Sequence, residues 1–201
     1  FKGQPADIFL NKVKRMLADL GATETVSQIE TQINQASFND NAKEEIAEYF
    51  CRQTIHRIIL KRIKKQDILN TDNENTFKSM DEILTGLNVK HCHQLLFNIL
   101  PELSILDPAC GNGLFLIAAL NTLSNIYGPV IAKIGQFGDS QLTAWLYKIR
   151  TEYTNINSYI RQRIVTENLF GVDIDSEAIQ NTRTKLLYAI NSSRRSSDRN
   201  V

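Results

Sequence analysis

Two short segments hold the residues of this chain that could act together chemically. The first is Asp107-Pro-Ala-Cys-Gly-Asn-Gly113, which follows the apolar run Leu103-Ser-Ile-Leu106 and precedes a long apolar stretch from Leu114. Without a Cβ at Gly111 or Gly113, the backbone can reach positive φ and a ligand can lie directly against it. The helix that starts next presents unpaired N–H groups, a favourable place for a carboxylate. The second segment, Gly171-Val-Asp-Ile-Asp175, puts Asp173 at the carboxyl end of another apolar run. On neighbouring parallel strands, two such ends define one crevice. A carboxylate there can accept hydrogen bonds from both hydroxyls of a ribose, while Ile174 offers an apolar face to an adenine ring. The plainer alternatives are a tight loop at Gly-x-Gly and helix capping by the acids. Capping is the reading for Asp175 and Ser176, whereas the partner loop favours a ligand for Asp173.

A nicotinamide dinucleotide would require Gly-x-Gly-x-x-Gly and an acid about 20 residues further on. Leu116 occupies the third glycine position, and Asp173 lies far beyond that interval. His91-Cys92-His93 consists of adjacent side chains without a second cluster, so zinc spacing is not met and an ordinary helix start is the better account. Cys110 reads as a small packing residue. Arg52, Arg57, Lys61, Arg62, Lys64 and Lys65 form a basic run with no intervening acid, which could neutralise DNA phosphates. Their spread around a helix, instead of along one stripe, favours a solvated face.

These residues need elements to position them. Ile8, Val13, Met16, Leu17 and Leu20 keep helical spacing up to Gly21, and a second helix starts near Asp40 and carries Ile46, Tyr49, Phe50, Ile55, Ile58, Ile59 and Ile63. The polar stretch 66–79 predicts a loop and a boundary, with a helical N-terminal segment over 1–75 and a second domain over 76–201. A helix over His93–Leu100 leads to a strand over Leu103–Leu106, the glycine loop, and a buried helix over Leu114–Ile126. Leu142, Trp145, Leu146, Ile149, Tyr153, Ile156, Ile160 and Ile164 then predict one inserted amphipathic helix within about 139–166. A strand over Leu169–Ile174 and a helix through Ala178, Ile179, Leu186, Leu187 and Ile190 complete the order. Strand, glycine loop, helix, strand, helix is the beginning of a parallel α/β sheet.

Composition sets the outer bounds. The 201 residues are 42% hydrophobic and 22% charged with a formal net charge of +1, ordinary for a globular protein and neutral on a polyanionic partner. Three cysteines at irregular spacing predict free thiols and a reducing, cytoplasmic setting. No apolar run is expected to reach the roughly 20 residues that cross a bilayer, so no membrane partner is expected. The start at Phe1 and the polar tail suggest a piece of a longer protein.

Asp107-Pro-Ala-Cys-Gly-Asn-Gly-Leu-Phe115 resembles the cofactor motif of the amino-methyltransferases that modify DNA adenine, and Asn168-Leu-Phe-Gly-Val-Asp-Ile-Asp175 is similar to their second motif. His93–Ala132, with the long insertion before Gly171, looks closest to the large type IIG restriction-modification enzymes. The resemblance covers about 80–190. It implies an α/β fold: part of a Rossmann-like, class I methyltransferase sheet preceded by an all-helical segment. It further implies that Asp107, Pro108, Ala109, Cys110 and Gly111 wrap the methionine end of S-adenosylmethionine, largely through backbone atoms. Asn112 and Phe115 complete that motif, Gly113 allows close approach, Asp173 holds the ribose hydroxyls, and Ile174 packs on the adenine.

The implied function is transfer of a methyl group to adenine N6 in a recognised DNA duplex, with DNA as partner. Relatives carry an Asn/Asp-Pro-Pro-Tyr/Phe loop that takes hold of the flipped-out base. The prolines here are Pro5, Pro101, Pro108 and Pro129, so no Pro-Pro pair occurs in this sequence, and no catalytic residue is expected in it. The residues leave open a methyltransferase acting on RNA or protein, and a non-catalytic module that holds DNA or a partner.

Overall fold

The computed structural model of the chain describes residues 40–70 and 77–195. The helix expected between Pro5 and Gly21 lies outside them. The chain divides into two compact units, Phe1–Ala47 and Glu48–Val201. The glycine loop and Asp173 both belong to the second unit.

Helix α1 (Asp40–Asn70) runs 31 residues, five beyond Lys65 and into the stretch expected to be loop. Gln66-Asp-Ile-Leu-Asn70 contains neither glycine nor proline, so nothing in it stops the helix. Cys51, Ile55, Ile59 and Ile63 recur every four residues and form its buried stripe. Two short helices come next, α2 (Met80–Thr85) and α3 (Val89–His93), capped by the side chains of Ser79 and Asn88, which accept from Glu82 N (3.2 Å) and His91 N (2.9 Å). The chain then widens into a π-helical turn, Gln94–Ile99.

Strand β1 (Ile105–Asp107) and strand β2 (Leu169–Gly171) pair in parallel, with Ile105 opposite Leu169, Leu106 opposite Phe170 and Asp107 opposite Gly171. Both are three residues long, and β2 stops short of the expected Ile174. Between them run α4 (Leu114–Ile134), α5 (Ser140–Glu152) and α6 (Ile156–Glu167), and after β2 comes α7 (Ser176–Arg195). The single inserted helix expected over 139–166 is therefore two. Tyr153 is extended, and Asn155 accepts a hydrogen bond from Ser158 N (3.0 Å), so a fresh N-cap restarts the helix three residues after the first ends.

Helix α4 forms the core. Leu116, Ala119, Leu120, Leu123, Ile126, Val130 and Ile134 are buried along it, and it packs on both strands, α5 and α6. It continues past the expected end at Ile126 because Pro129 lies at an exposed position, where the lost N–H leaves a carbonyl that water can reach. At 21 residues it is long and apolar enough to cross a membrane by length and composition, contrary to the expectation that no run reaches that size. Most of its apolar window is buried inside the protein, as the centre of a folded core is.

Asn168 locks the seam between the strands. It is fully buried; its Nδ2 donates to the carbonyls of Leu100 (2.9 Å) and Leu103 (2.6 Å), and its own backbone carbonyl accepts from Ile105 N (2.8 Å). One residue thus ties the segment before β1 to the start of β2 and sets their register. The opposite face of the little sheet is bare, with Leu106 61% and Phe170 48% exposed.

Candidate functional site

The glycine loop and the acid from the second strand meet at the carboxyl ends of β1 and β2. Pairing continues past the strands themselves: Val172 N donates to Asp107 O and Cys110 N donates to Val172 O, both at 2.9 Å. The loop is thereby held against β2 along its first half. Asp107 is buried, and its Oδ1 accepts from Ala109 N at 3.2 Å, which turns the chain sharply after the strand. Pro108, Ala109 and Asn112 are exposed.

Gly111 and Gly113 adopt φ of +50° and +78°, the left-handed region that side chains disfavour. Their surroundings differ. A Cβ on Gly111 would meet nothing within 4 Å, whereas one on Gly113 would lie 2.7 Å from Cγ2 and 2.9 Å from Oγ1 of Thr182. Gly111 therefore faces open space, and Gly113 is the close approach between the loop and α7. Gly171 marks a third contact, because a Cβ there would come within 2.8 Å of Leu116 Cδ1 and 3.1 Å of Cys110 Sγ. Cys110 is buried against that glycine, in a packing position.

Asp173 spans the crevice. Its Oδ2 accepts from Gly111 N at 2.7 Å and its Oδ1 accepts from Asp175 N at 2.9 Å. A carboxylate offers about four lone-pair sites, and these bonds orient both oxygens of Asp173 at the strand ends. Ile174 beside it is fully exposed, an apolar side chain with no protein surface to cover it. Asp175 accepts from Glu177 N at 2.9 Å at the start of α7, a helix-start bond. Phe115 is turned into the core, edge-to-face with Phe50 at 6.0 Å between ring centroids, and its carbonyl accepts from Cys51 Sγ at 3.5 Å. Its place is beneath the loop. Burial first, then the charges of Asp107 and Glu48, push the Cys51 thiol up to about 12.

One family model, UPF0020, the RMKL-like methyltransferase domain, matches residues 94–194, which span both strands, the glycine loop and Asp173. This chain belongs to the RMKL-like methyltransferase-domain family. A curated protein of Methanocaldococcus jannaschii, named "Putative type II restriction enzyme and methyltransferase RM.MjaORFECS2P", is 30% identical over 151 residues. That match takes in 73% of this chain and 11% of the relative, so the chain spans about a ninth of the relative's length. No solved structure matches. The structure accordingly describes a helix-rich methyltransferase domain with a small parallel two-stranded sheet.

The other residues singled out in the sequence lie elsewhere. His91 is buried with its ring edge-to-face on Phe77 at 5.1 Å, Cys92 is buried, and His93 Nε2 lies 3.0 Å from Asp139 Oδ1. Among the described residues, no group of three or more His, Cys, Asp or Glu side chains could hold a metal ion. The basic residues lie along α1. Arg52, Arg57, Lys61 and Lys65 are exposed, while Arg62 Nη1 donates to Ile99 O at 3.5 Å and lies 4.0 Å from Glu102. Two residues of α7 that no sequence motif singles out touch the loop. Thr182 Oγ1 donates to Gly111 O at 2.7 Å, and Lys185 Nζ donates to Asn112 O at 3.2 Å. Their spacing of three on one helix face was the available signal.

Proposed function

We propose that this chain binds S-adenosylmethionine in the crevice between the glycine loop and Asp173, as the donor-binding part of a DNA methyltransferase in a restriction-modification system. A Rossmann-like, class I sheet, of which β1 and β2 are the first two strands, is the fold that goes with this reading. The observation that carries it is the 2.7 Å bond from Gly111 N to Asp173 Oδ2, which makes one crevice of two strand ends, with open space before Gly111 and bare Ile174 beside it. These features fit the nucleoside and amino-acid ends of the donor. In this reading Asp173 accepts from ribose hydroxyls, and Ile174 offers a stacking face for adenine. Asp107, Pro108, Ala109, Cys110, Gly111, Asn112 and Gly113 surround the methionine end, and the negative charge of Asp107 suits an ammonium group.

The bound donor supplies an electrophilic methyl group on a sulfonium. The residues of this chain orient it; they include no Asn/Asp-Pro-Pro-Tyr/Phe segment to receive a flipped base. Adenine N6 in duplex DNA is the acceptor that the motif resemblance favours, and the name of the Methanocaldococcus jannaschii relative, a restriction enzyme and methyltransferase, supports the restriction-modification setting. Isothermal titration of the chain with S-adenosylhomocysteine tests the first part: saturable binding that Asp173→Ala weakens at least tenfold is the expected result, and no heat at millimolar ligand refutes it. Methyl transfer by a longer protein containing this chain to DNA, and not to RNA or protein, tests the second.

A further inference from the structure

Helix α7 contributes nothing to the sheet, yet it holds the loop that the proposed site depends on. Three successive loop residues rest on one of its faces: Gly111 O accepts from Thr182 Oγ1 at 2.7 Å, Asn112 O accepts from Lys185 Nζ at 3.2 Å, and the Cα of Gly113 faces the Thr182 methyl. Thr182 is 4% exposed, so its bond to Gly111 is shielded from water, whereas the Lys185 bond is at the surface and weaker. The peptide units are trans, and a trans unit carries its N–H opposite its C=O. Drawing the Gly111 carbonyl toward α7 therefore turns the Asn112 N–H away from α7. Drawing the Asn112 carbonyl the same way turns the Gly113 N–H inward, where it donates to Cys110 O at 2.9 Å. On the far side, Gly111 N is already given to Asp173. The turn is thus fixed from both sides, with the Asn112 N–H directed away from α7.

We propose that Thr182 is the positioning residue of the glycine turn: its hydroxyl sets the peptide orientation that presents the Asn112 N–H to the carboxylate of the bound ligand. This rests on the reading of the crevice as a donor site. Neither group of Thr182 touches the ligand; the residue acts through the loop. Serine keeps the hydroxyl and valine keeps the shape, so the two substitutions separate the hydrogen bond from the packing.

The test uses the full chain with S-adenosylhomocysteine as probe. Thr182→Val is expected to weaken binding about fivefold or more, the worth of one shielded hydrogen bond. Thr182→Ser is expected to bind within about twofold of the unsubstituted chain. In the ligand-free chain, Thr182→Val is expected to speed amide hydrogen exchange at Gly111 and Gly113 about tenfold, with the middle of α4 unchanged. Equal affinities and equal exchange for the valine variant and the original chain overturn the proposal, and so does a serine variant that behaves like valine. If the unsubstituted chain shows no binding, the donor-site reading fails, and with it the ligand role of the Asn112 N–H. The exchange measurement still decides whether Thr182 sets the turn.

Discussion

Alanine at Gly111 and at Gly113 should separate binding from stability within a single loop. Both glycines have positive φ, so alanine at either costs about 1–2 kcal/mol for the left-handed backbone. Only at Gly113 does the new methyl collide, 2.7 Å from Cγ2 and 2.9 Å from Oγ1 of a buried threonine. Overpacking of that kind adds about 1–3 kcal/mol, so Gly113→Ala should lose about 2–5 kcal/mol against about 1–2 for Gly111→Ala. At roughly 2–4 °C per kcal/mol for a domain of this size, the melting temperature falls by roughly 4–20 °C in the first case and 2–8 °C in the second. Binding should follow the opposite order. A methyl on Gly111 enters the open side of the loop, and S-adenosylhomocysteine affinity should fall more than tenfold in a protein that remains folded. Urea unfolding followed by circular dichroism gives the stabilities, and titration calorimetry gives the affinities. Adding Thr182→Ala to Gly113→Ala removes the two closest atoms and leaves Cβ at 3.2 Å, so a double-mutant cycle should show a coupling of about 1–3 kcal/mol. Equal destabilisation by the two alanines, or a coupling near zero, refutes the reasoning.

Three further outcomes are expected. Asn168→Asp places a carboxylate oxygen against the carbonyls of Leu100 and Leu103, at a fully buried position. Burial and both carbonyls oppose the charge, so the folded pKa lies above the unfolded one. Stability of the variant is then greatest below the ordinary aspartate range and falls as pH rises through the folded pKa, with a deficit of roughly 2–6 kcal/mol near pH 7 from two stranded carbonyls. A pH-independent deficit in urea midpoints argues against this. Cys51 and Cys92 are buried, with thiols pushed up mainly by burial to about 12 and about 11, so neither should react with N-ethylmaleimide at pH 8 until urea is added. Peptide mass spectrometry reads the labelling, and modification of either thiol in the native chain contradicts the packing. The backbone N–H of Leu142, and then His93, hold the Asp139 carboxyl below its usual range. A depressed pKa gives stability that is present above the unfolded value and lost as pH falls through the folded one. The advantage of the original chain over Asp139→Asn should therefore be seen near neutrality and vanish in acid below the ordinary carboxylate range, in thermal melts.

The local parts of this fold were legible in the sequence because they depend on short spacings. The four-residue recurrence in α1, the apolar run of α4 and the strand-loop-helix order around Gly111 and Gly113 all declare themselves within a few turns. The adjacency of the glycine loop and Asp173 was inferred from the same order. What was not legible depends on contacts between distant segments. The break between α5 and α6 turns on Asn155, whose capping role does not interrupt the apolar periodicity around it. Thr182 resembles any polar residue on a helix until α7 is laid against the loop. Asn168 lies inside a motif, but its bonds to Leu100 and Leu103 connect residues that no local pattern associates. Phe115 lies in the glycine-loop motif, and its edge-to-face contact with Phe50 is likewise a pairing of distant segments.

The seam between β1 and β2 has a consequence for the order in which the protein assembles. Gly111 and Asp173 are 62 positions apart, and every residue between them must be threaded before that bond can form. Closing so large a loop costs about 3 kcal/mol more than closing a two-residue hairpin, at about 0.6 kcal/mol per doubling of length. Compaction of α4, α5 and α6 shortens that search by bringing the two strand sequences together. The crevice is thus expected late in folding, and a nascent chain acquires its helices before the glycine loop and Asp173 can meet.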